Sequence, residues 1–260
     1  MILQIYTSND EWLRAALDLI LSAQDGGERR RSLHLCLSGG TTPKPVYESL
    51  ARSETFKAIA ASKAVHLWVG DEREAPVHSG LRNSEMIAGI FVAAGFKNFA
   101  FREPKNSALK IQIPAPPIIK NLDSAAPGLI LHAWPTGPRE NAAAAYDREL
   151  AVFAGETIRA DRPFFDLTIL GMGEDGHTAG LFSMEDVRRG AGRLVILTEA
   201  PQEPKKRMTM APHVLLSSGK ILVLLRGLPK ARLLMANLFG ERTDPIKYFL
   251  LDRCEVVAQI

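Results

Sequence analysis

Cysteine is the scarcest side chain here: Cys36 and Cys254 are the only two in 260 residues, each inside an apolar run and with no C-x-x-C spacing. That excludes a disulfide framework and a thiolate zinc site, and two free buried thiols suit a reducing compartment. Long hydrophobic runs are missing too. No window reaches the roughly 18 uninterrupted apolar residues of a membrane span. The opening "MILQIYTSNDEW" lacks a basic start, an apolar stretch and a small-residue cleavage site, so neither a membrane partner nor a secretory leader is expected and the chain reads as cytoplasmic. Charge of one sign is also lacking. Thirty-two Lys and Arg face 29 Asp and Glu, for a net charge of +3 spread along the chain. That argues against nucleic acid as the main partner and leaves local arginines for an anionic small molecule. The densest basic run, "ERRRS" at 28–32, follows a Gly-Gly pair and reads as a solvated turn.

Several motifs are absent as well. The six histidines form no H-x-H or H-E-x-x-H, and "GEDGH" lacks the alternating oxygen ligands of a calcium loop, so no metal is expected. There is no G-x-x-x-x-G-K-[ST] and no G-x-S-x-G. A nucleotide triphosphate loop and a serine nucleophile elbow are therefore not indicated.

What is present is ordinary globular composition, 46% hydrophobic and 23% charged, and a repeated alternation of short apolar runs with longer amphipathic ones. "ILQIYT", "SLHLCL", "AVHLWVG", "FFDLTIL", "RLVILT", "KILVLLRG" and "KYFLLDRCEVVAQI" read as strands. Helices are expected from Ser8–Asp10 to about Ser22, after "SGGTTP", from Asn83 to Ala94, over "ENAAAAYDRELAVFA" and over "LPKARLLMANLF". Strands this apolar are buried on both faces. The fold class is therefore α/β, a mostly parallel, doubly wound sheet flanked by helices on both faces. Seven prolines between 104 and 138 forbid a long helix there and leave irregular chain with short extended pieces. The expectation is one domain over 1–260 with an irregular Pro-rich insertion around 104–138.

In an open α/β sheet the ligand lies beyond the C-terminal strand ends, and three polar loops occupy that position. "LSGGTTP" places Gly39 and Gly40 where backbone N–H groups can approach an anion, with Thr41 and Thr42 as hydroxyl donors ahead of a helix N-terminus. A plain glycine turn is the alternative. In "VGDEREAP", strand alternation sends Asp71 and Arg73 to one side and Glu72 to the other; Arg73 can pair with Asp71 or fork onto a phosphate. In "GMGEDGHTAG", Asp175 and His177 stand two residues apart in a glycine-rich bend beside a helix-like "TAGLF". A histidine there can take a proton from water. Arg207 in "KKRMTM" and Lys230 in "RGLPKARL" can supply charge to a phosphate or simply be solvated.

"LSGGTTP", "LWVGDER", "FDLTILGMGEDGHTAGLF", "RMTM" and "RGLPKARLL" resemble, in order and approximate spacing, the blocks of the 6-phosphogluconolactonases, over nearly the whole chain. That family shares a fold group with glucosamine-6-phosphate deaminases and ribose-5-phosphate isomerases. In the deaminase pattern an Asn-Glu-Pro follows the histidine and an aromatic replaces the arginine of Asp-Glu-Arg; here "HTAGLFS" and "DER" favour the lactonase. The resemblance implies that His177 is the general base for water attacking a lactone carbonyl. By the same resemblance Asp71 orients sugar hydroxyls or the water, Arg73 holds substrate anions, and Asp175 shapes the bend or orients His177. Gly39, Gly40, Thr41 and Thr42 would surround the phosphorylated end, with Arg207 and Lys230 near the phosphate. Asn83 keeps the family's Asn of a Ser-Asn pair, whereas Arg82 replaces the serine. No cofactor is implied. The expected activity is hydrolysis of 6-phospho-D-glucono-1,5-lactone, with a phosphorylated sugar lactone as the partner. A deaminase or isomerase, or a non-catalytic sugar-phosphate-binding regulator, are the alternatives. The sequence is silent on oligomeric state.

Overall fold

A computed structural model describes residues 1–25, 32–96, 99–102, 127–159 and 162–260. The basic run at 28–31 and the Pro-rich stretch at 104–126 lie outside the described residues.

Eight strands form the main sheet: β1 (Ile2–Tyr6), β2 (Ser32–Leu37), β3 (Ala64–Val69), β5 (Phe99–Arg102), β6 (Gly128–His132), β7 (Phe165–Gly171), β10 (Ser218–Arg226) and β11 (Cys254–Gln259). Their order is β1-β11-β10-β7-β2-β3-β6-β5, and every neighbouring pair is parallel. The strands are apolar on both faces because both are covered: β2, β3 and β6 are buried at every residue. Large side chains fully enclosed here, such as Trp68, Phe165 and Leu35, each contribute about 1.5–3 kcal/mol through burial.

The helices are α1 (Asn9–Ser22), α2 (Lys44–Arg52), α3 (Glu54–Ser62), α4 (Asn83–Ala93), α5 (Arg139–Arg159), α6 (Met184–Arg189), α7 (Pro212–Leu216) and α8 (Leu228–Phe239). Ser8 caps α1, its side chain accepting from the Glu11 N–H, and Trp12, Ala16 and Ile20 form the buried face. Among the described residues no helix is long and apolar enough to cross a membrane.

The strand order places the site. β2 and β7 are neighbours, paired at Leu35 with Leu167 and at Cys36 with Thr168. From β2 the sheet continues outward through β3, and from β7 it continues the other way through β10. The crevice beyond such a pair is where α/β sheets bind ligands. "SGGTT" leaves β2 there and "GMGEDGH" leaves β7.

The short extended pieces expected in the Pro-rich stretch include Gly128–His132, an interior strand sheltered between β3 and β5. Four local readings need correction. "TAGLF" is no helix start: Thr178 and Leu181 exchange backbone hydrogen bonds at 3.3 and 3.0 Å around a tight turn, and α6 begins only at Met184 behind a Ser183–Asp186 capping box. The first part of "KYFLLDRCEVVAQI" falls in a 3-10 turn, Pro245–Phe249; its proline favours the turn, and only Cys254–Gln259 extends. Helix α3 is an addition, its N-terminus capped by Ser53. "RLVILT" does not join the main sheet: β8 (Val195–Glu199) lies in a second, antiparallel sheet with β4 (Asp71–Arg73) and β9 (Lys206–Met210), in the order β4-β9-β8.

Three of the six histidines belong to the core. His66 Nδ1 lies 2.8 Å from His132 Nε2, and His132 Nδ1 lies 2.6 Å from Glu149 Oε1. His132 stacks on Trp68 and His34 on His66, with ring centroids 3.6 and 4.4 Å apart.

Candidate active site

The loop after β2 starts from a fixed point. The Tyr47 hydroxyl, buried on α2, accepts from the Ser38 N–H at 3.1 Å and donates to the Ser38 carbonyl at 3.0 Å. The following Gly39, Gly40, Thr41 and Thr42 line a pocket of about 240 Å³. Gly39 has to be glycine because a Cβ there would overlap the Asn83 amide. Helix α2 starts behind this loop with no side-chain cap, and with prolines at 43 and 45 its free first-turn donors come down to the Lys44 and Val46 N–H groups.

β4 brings Asp71 and Arg73 to the pocket and turns Glu72 away from it, as alternation requires. Asp71 is almost wholly buried. The Asn83 amide, in the first turn of α4, donates to the Asp71 carbonyl at 2.9 Å and to its Oδ2 at 3.2 Å. Burial, and then the neighbouring Glu72 charge, push the Asp71 carboxyl up to about 6, against the opposing pull of Arg207, Arg73 and His177.

β9 runs antiparallel to β4, with Arg207 facing Arg73. Both line the pocket, and the Nε of each is buried with no hydrogen-bond partner among the described residues. Arg73 Nη1 donates to the Leu81 carbonyl at 2.8 Å. The Arg207 guanidinium lies 5.9 Å from the centroid of the Phe182 ring. Burial, then the nearby Arg73 charge, lower the Arg207 pKa. Lys230, in the first turn of α8, completes the cationic side. Two opposed guanidiniums and an ammonium thus put three positive charges around one small pocket, a setting that suits an anion.

The loop after β7 carries His177. Gly173 donates to the His177 carbonyl at 2.9 Å, and the Thr178 hydroxyl donates to the Gly171 carbonyl at 2.8 Å. A Cβ on Gly173 would overlap the His177 ring. Asp175 does not line the pocket. Its Oδ1 sits 2.5 Å from His177 Nδ1 and also accepts from the His177 N–H at 3.2 Å. Burial works to raise the Asp175 carboxyl, but the His177 ring and these hydrogen bonds leave it below its ordinary value. An ionised carboxylate only accepts, so it fixes the proton on Nδ1 and leaves Nε2 as the basic nitrogen.

The structure thus gathers His177, Asp71, Arg73, Asn83, Arg207, Lys230 and the glycine loop around one pocket, with Asp175 behind His177. Sequence reasoning passed over Phe182, whose ring centroid lies 4.8 Å from that of His177, although it stands inside "TAGLF". It also missed the buried role of Glu72, which has no local signature.

Residues 7–257 match the family described as glucosamine-6-phosphate isomerases/6-phosphogluconolactonase. The chain is 30% identical to the 6-phosphogluconolactonase of Synechocystis sp. over 82% of its own length and 74% of that protein's. It is 27% identical to the GDH/6PGL endoplasmic bifunctional protein of Oryctolagus cuniculus over 84% of its length, but spans only 23% of that relative. The solved 6-phosphogluconolactonase of Thermotoga maritima superposes with a TM-score of 0.69 at 24% identity, covering 99% of this chain and 98% of the other, a likeness of fold.

Proposed function

Because the chain belongs to the glucosamine-6-phosphate isomerase/6-phosphogluconolactonase family, we propose that it hydrolyses 6-phospho-D-glucono-1,5-lactone to 6-phosphogluconate, the lactone step of the oxidative pentose phosphate pathway. One observation carries this reading: His177, its Nδ1 engaged by Asp175, shares a pocket with Arg73, Arg207 and Lys230. A base for water stands beside a seat for a phosphate.

In this mechanism the cations and the glycine loop hold the phosphate, and that binding energy positions the ring. His177 Nε2 takes a proton from water as the water oxygen bonds to the lactone carbonyl carbon. The oxyanion formed collapses, the bond from that carbon to the ring oxygen breaks, and the imidazolium returns the proton to the departing oxygen. The product is a carboxylic acid that ionises, so one proton is released per turnover. Asp71, steadied by Asn83, orients sugar hydroxyls or the attacking water. The convergence of the basic side chains on a small pocket supports a small phosphorylated partner rather than nucleic acid. Two free buried thiols support a cytoplasmic setting.

Supplying the protein with fresh lactone and, separately, with glucosamine 6-phosphate tests the reading. Acid release from the first and no ammonia from the second is the expected result; ammonia release would favour a deaminase.

A further inference from the structure

A buried charged pair lies directly behind the pocket without lining it. Glu72 is wholly enclosed. Its Oε1 accepts from the backbone N–H groups of Arg73 and Asn83, each at 2.8 Å, and its Oε2 from that of Ser84 at 2.9 Å. Helix α4 has no side-chain cap from its own N-cap residue, Arg82. Glu72 fills that place from a neighbouring strand, satisfying two orphan donors at the positive end of the helix. Arg82 is buried too. Its guanidinium lies 3.7 Å from Glu72 Oε2 and donates to the Trp134 carbonyl at 2.7 Å. An arginine thus stands where the resembling family carries serine, and it ties Glu72 to the chain that follows β6.

The next link enters the site. The backbone of Asn83 is held by Glu72, while its side chain donates to both the carbonyl and the carboxylate of Asp71. We propose that Glu72, anchored by Arg82, is a positioning residue for Asp71: it fixes the first turn of α4, hence the Asn83 amide, hence the Asp71 carboxylate. The assignment rests on the reading that Asp71 meets the substrate.

Glu72 also acts on Asp71 through charge. The groups around Asp71 are Glu72 and Arg73 on its own strand, Arg207 on β9, His177 after β7, Cys36 on β2 and Tyr47 on α2. Glu72 in turn faces Arg82, Arg207 and Tyr146. Of these, Glu72 is the neighbouring carboxylate that raises Asp71, so neutralising it moves Asp71 to ionise at lower pH.

A double-mutant cycle on the full chain tests this, with lactone hydrolysis measured against pH for E72Q, D71N and the double variant. Glutamine keeps the volume and one acceptor oxygen. The expected results are a kcat about tenfold lower for E72Q with KM little changed, and a downward shift of the acid limb. Neither effect should survive in the D71N background. Losses that multiply instead would overturn the proposal, since a merely structural brace weakens both backgrounds alike. If E72Q does not fold, N83S against D71N runs the same cycle without touching Glu72, and wild-type turnover by N83S would break the chain of contacts. An inactive unsubstituted protein would overturn the functional reading and this assignment with it, whereas multiplying losses in an active enzyme count against Glu72 alone.

Discussion

Arg73 and Arg207 are direct partners across the antiparallel β4–β9 ladder, two like charges at one register position. Such pairs are unfavourable in a sheet, and burial with the Arg73 charge already lowers the Arg207 pKa. A phosphate bound between them, as the proposed function has it, would relieve the repulsion. Arg73→Ala and Arg207→Ala should each raise KM for the lactone about 10- to 100-fold, the weight of one charge-assisted hydrogen bond, with a smaller change in kcat. Steady-state kinetics checks this. A lowered kcat at unchanged KM would move these residues out of phosphate binding.

Asp71 carries a stability cost. Its carboxyl rises from 3.8 to about 6 in the fold, so between those values the folded chain binds a proton that the unfolded chain has lost. Stability therefore falls as pH rises through that window, and the cost is absent below it and complete above it. Asp71→Asn should stabilise the protein by up to about 3 kcal/mol at pH 8 and by little at pH 3.5, while lowering turnover. Denaturant melts at the two pH values decide it.

The base loop tolerates no side chain at Gly173, where a Cβ would overlap His177 and Asp175. Gly173→Ala should lower kcat by about 10² through displacement of the base. A near-normal kcat would mean that the loop shifts without harm and that the dyad geometry matters little.

The two thiols should be inert in the native state. Both are free and buried. Burial raises Cys36 far above the usual thiol range and pushes Cys254 up to about 12, leaving almost no thiolate at neutral pH. A chromogenic disulfide reagent should react with two thiols after denaturation and with almost none before. Fast native labelling would contradict the packing around β2.

How much of this is legible in the chain depends on range. The segments Gly39–Thr42, Asp71–Arg73 and Asp175–His177 announce themselves because each follows an apolar strand, and parallel strands point all such ends one way. The pairing of Arg73 with Arg207 leaves no local mark, because β9 reads only as "KRMTM" and its partner is far off in sequence. Glu72 looks like one of three exposed charges; its burial follows from the unpaired N–H groups of α4 arriving from elsewhere. The Pro-rich stretch shows that it can hold short extended pieces, but nothing local says that Gly128–His132 is an interior strand of the sheet. "TAGLF" begins like a helix and then closes on itself, because the Thr178–Leu181 bonds outcompete continuation of the chain into a helix.

The central claim is that His177 activates water. The most direct measurement is the rate of acid release in a pH-stat from freshly generated 6-phosphogluconolactone, for the unsubstituted protein and for His177→Ala. The expected result is acceleration well above the buffer rate, falling by about 10²–10⁴ in the variant. Equal rates for the two proteins would contradict it.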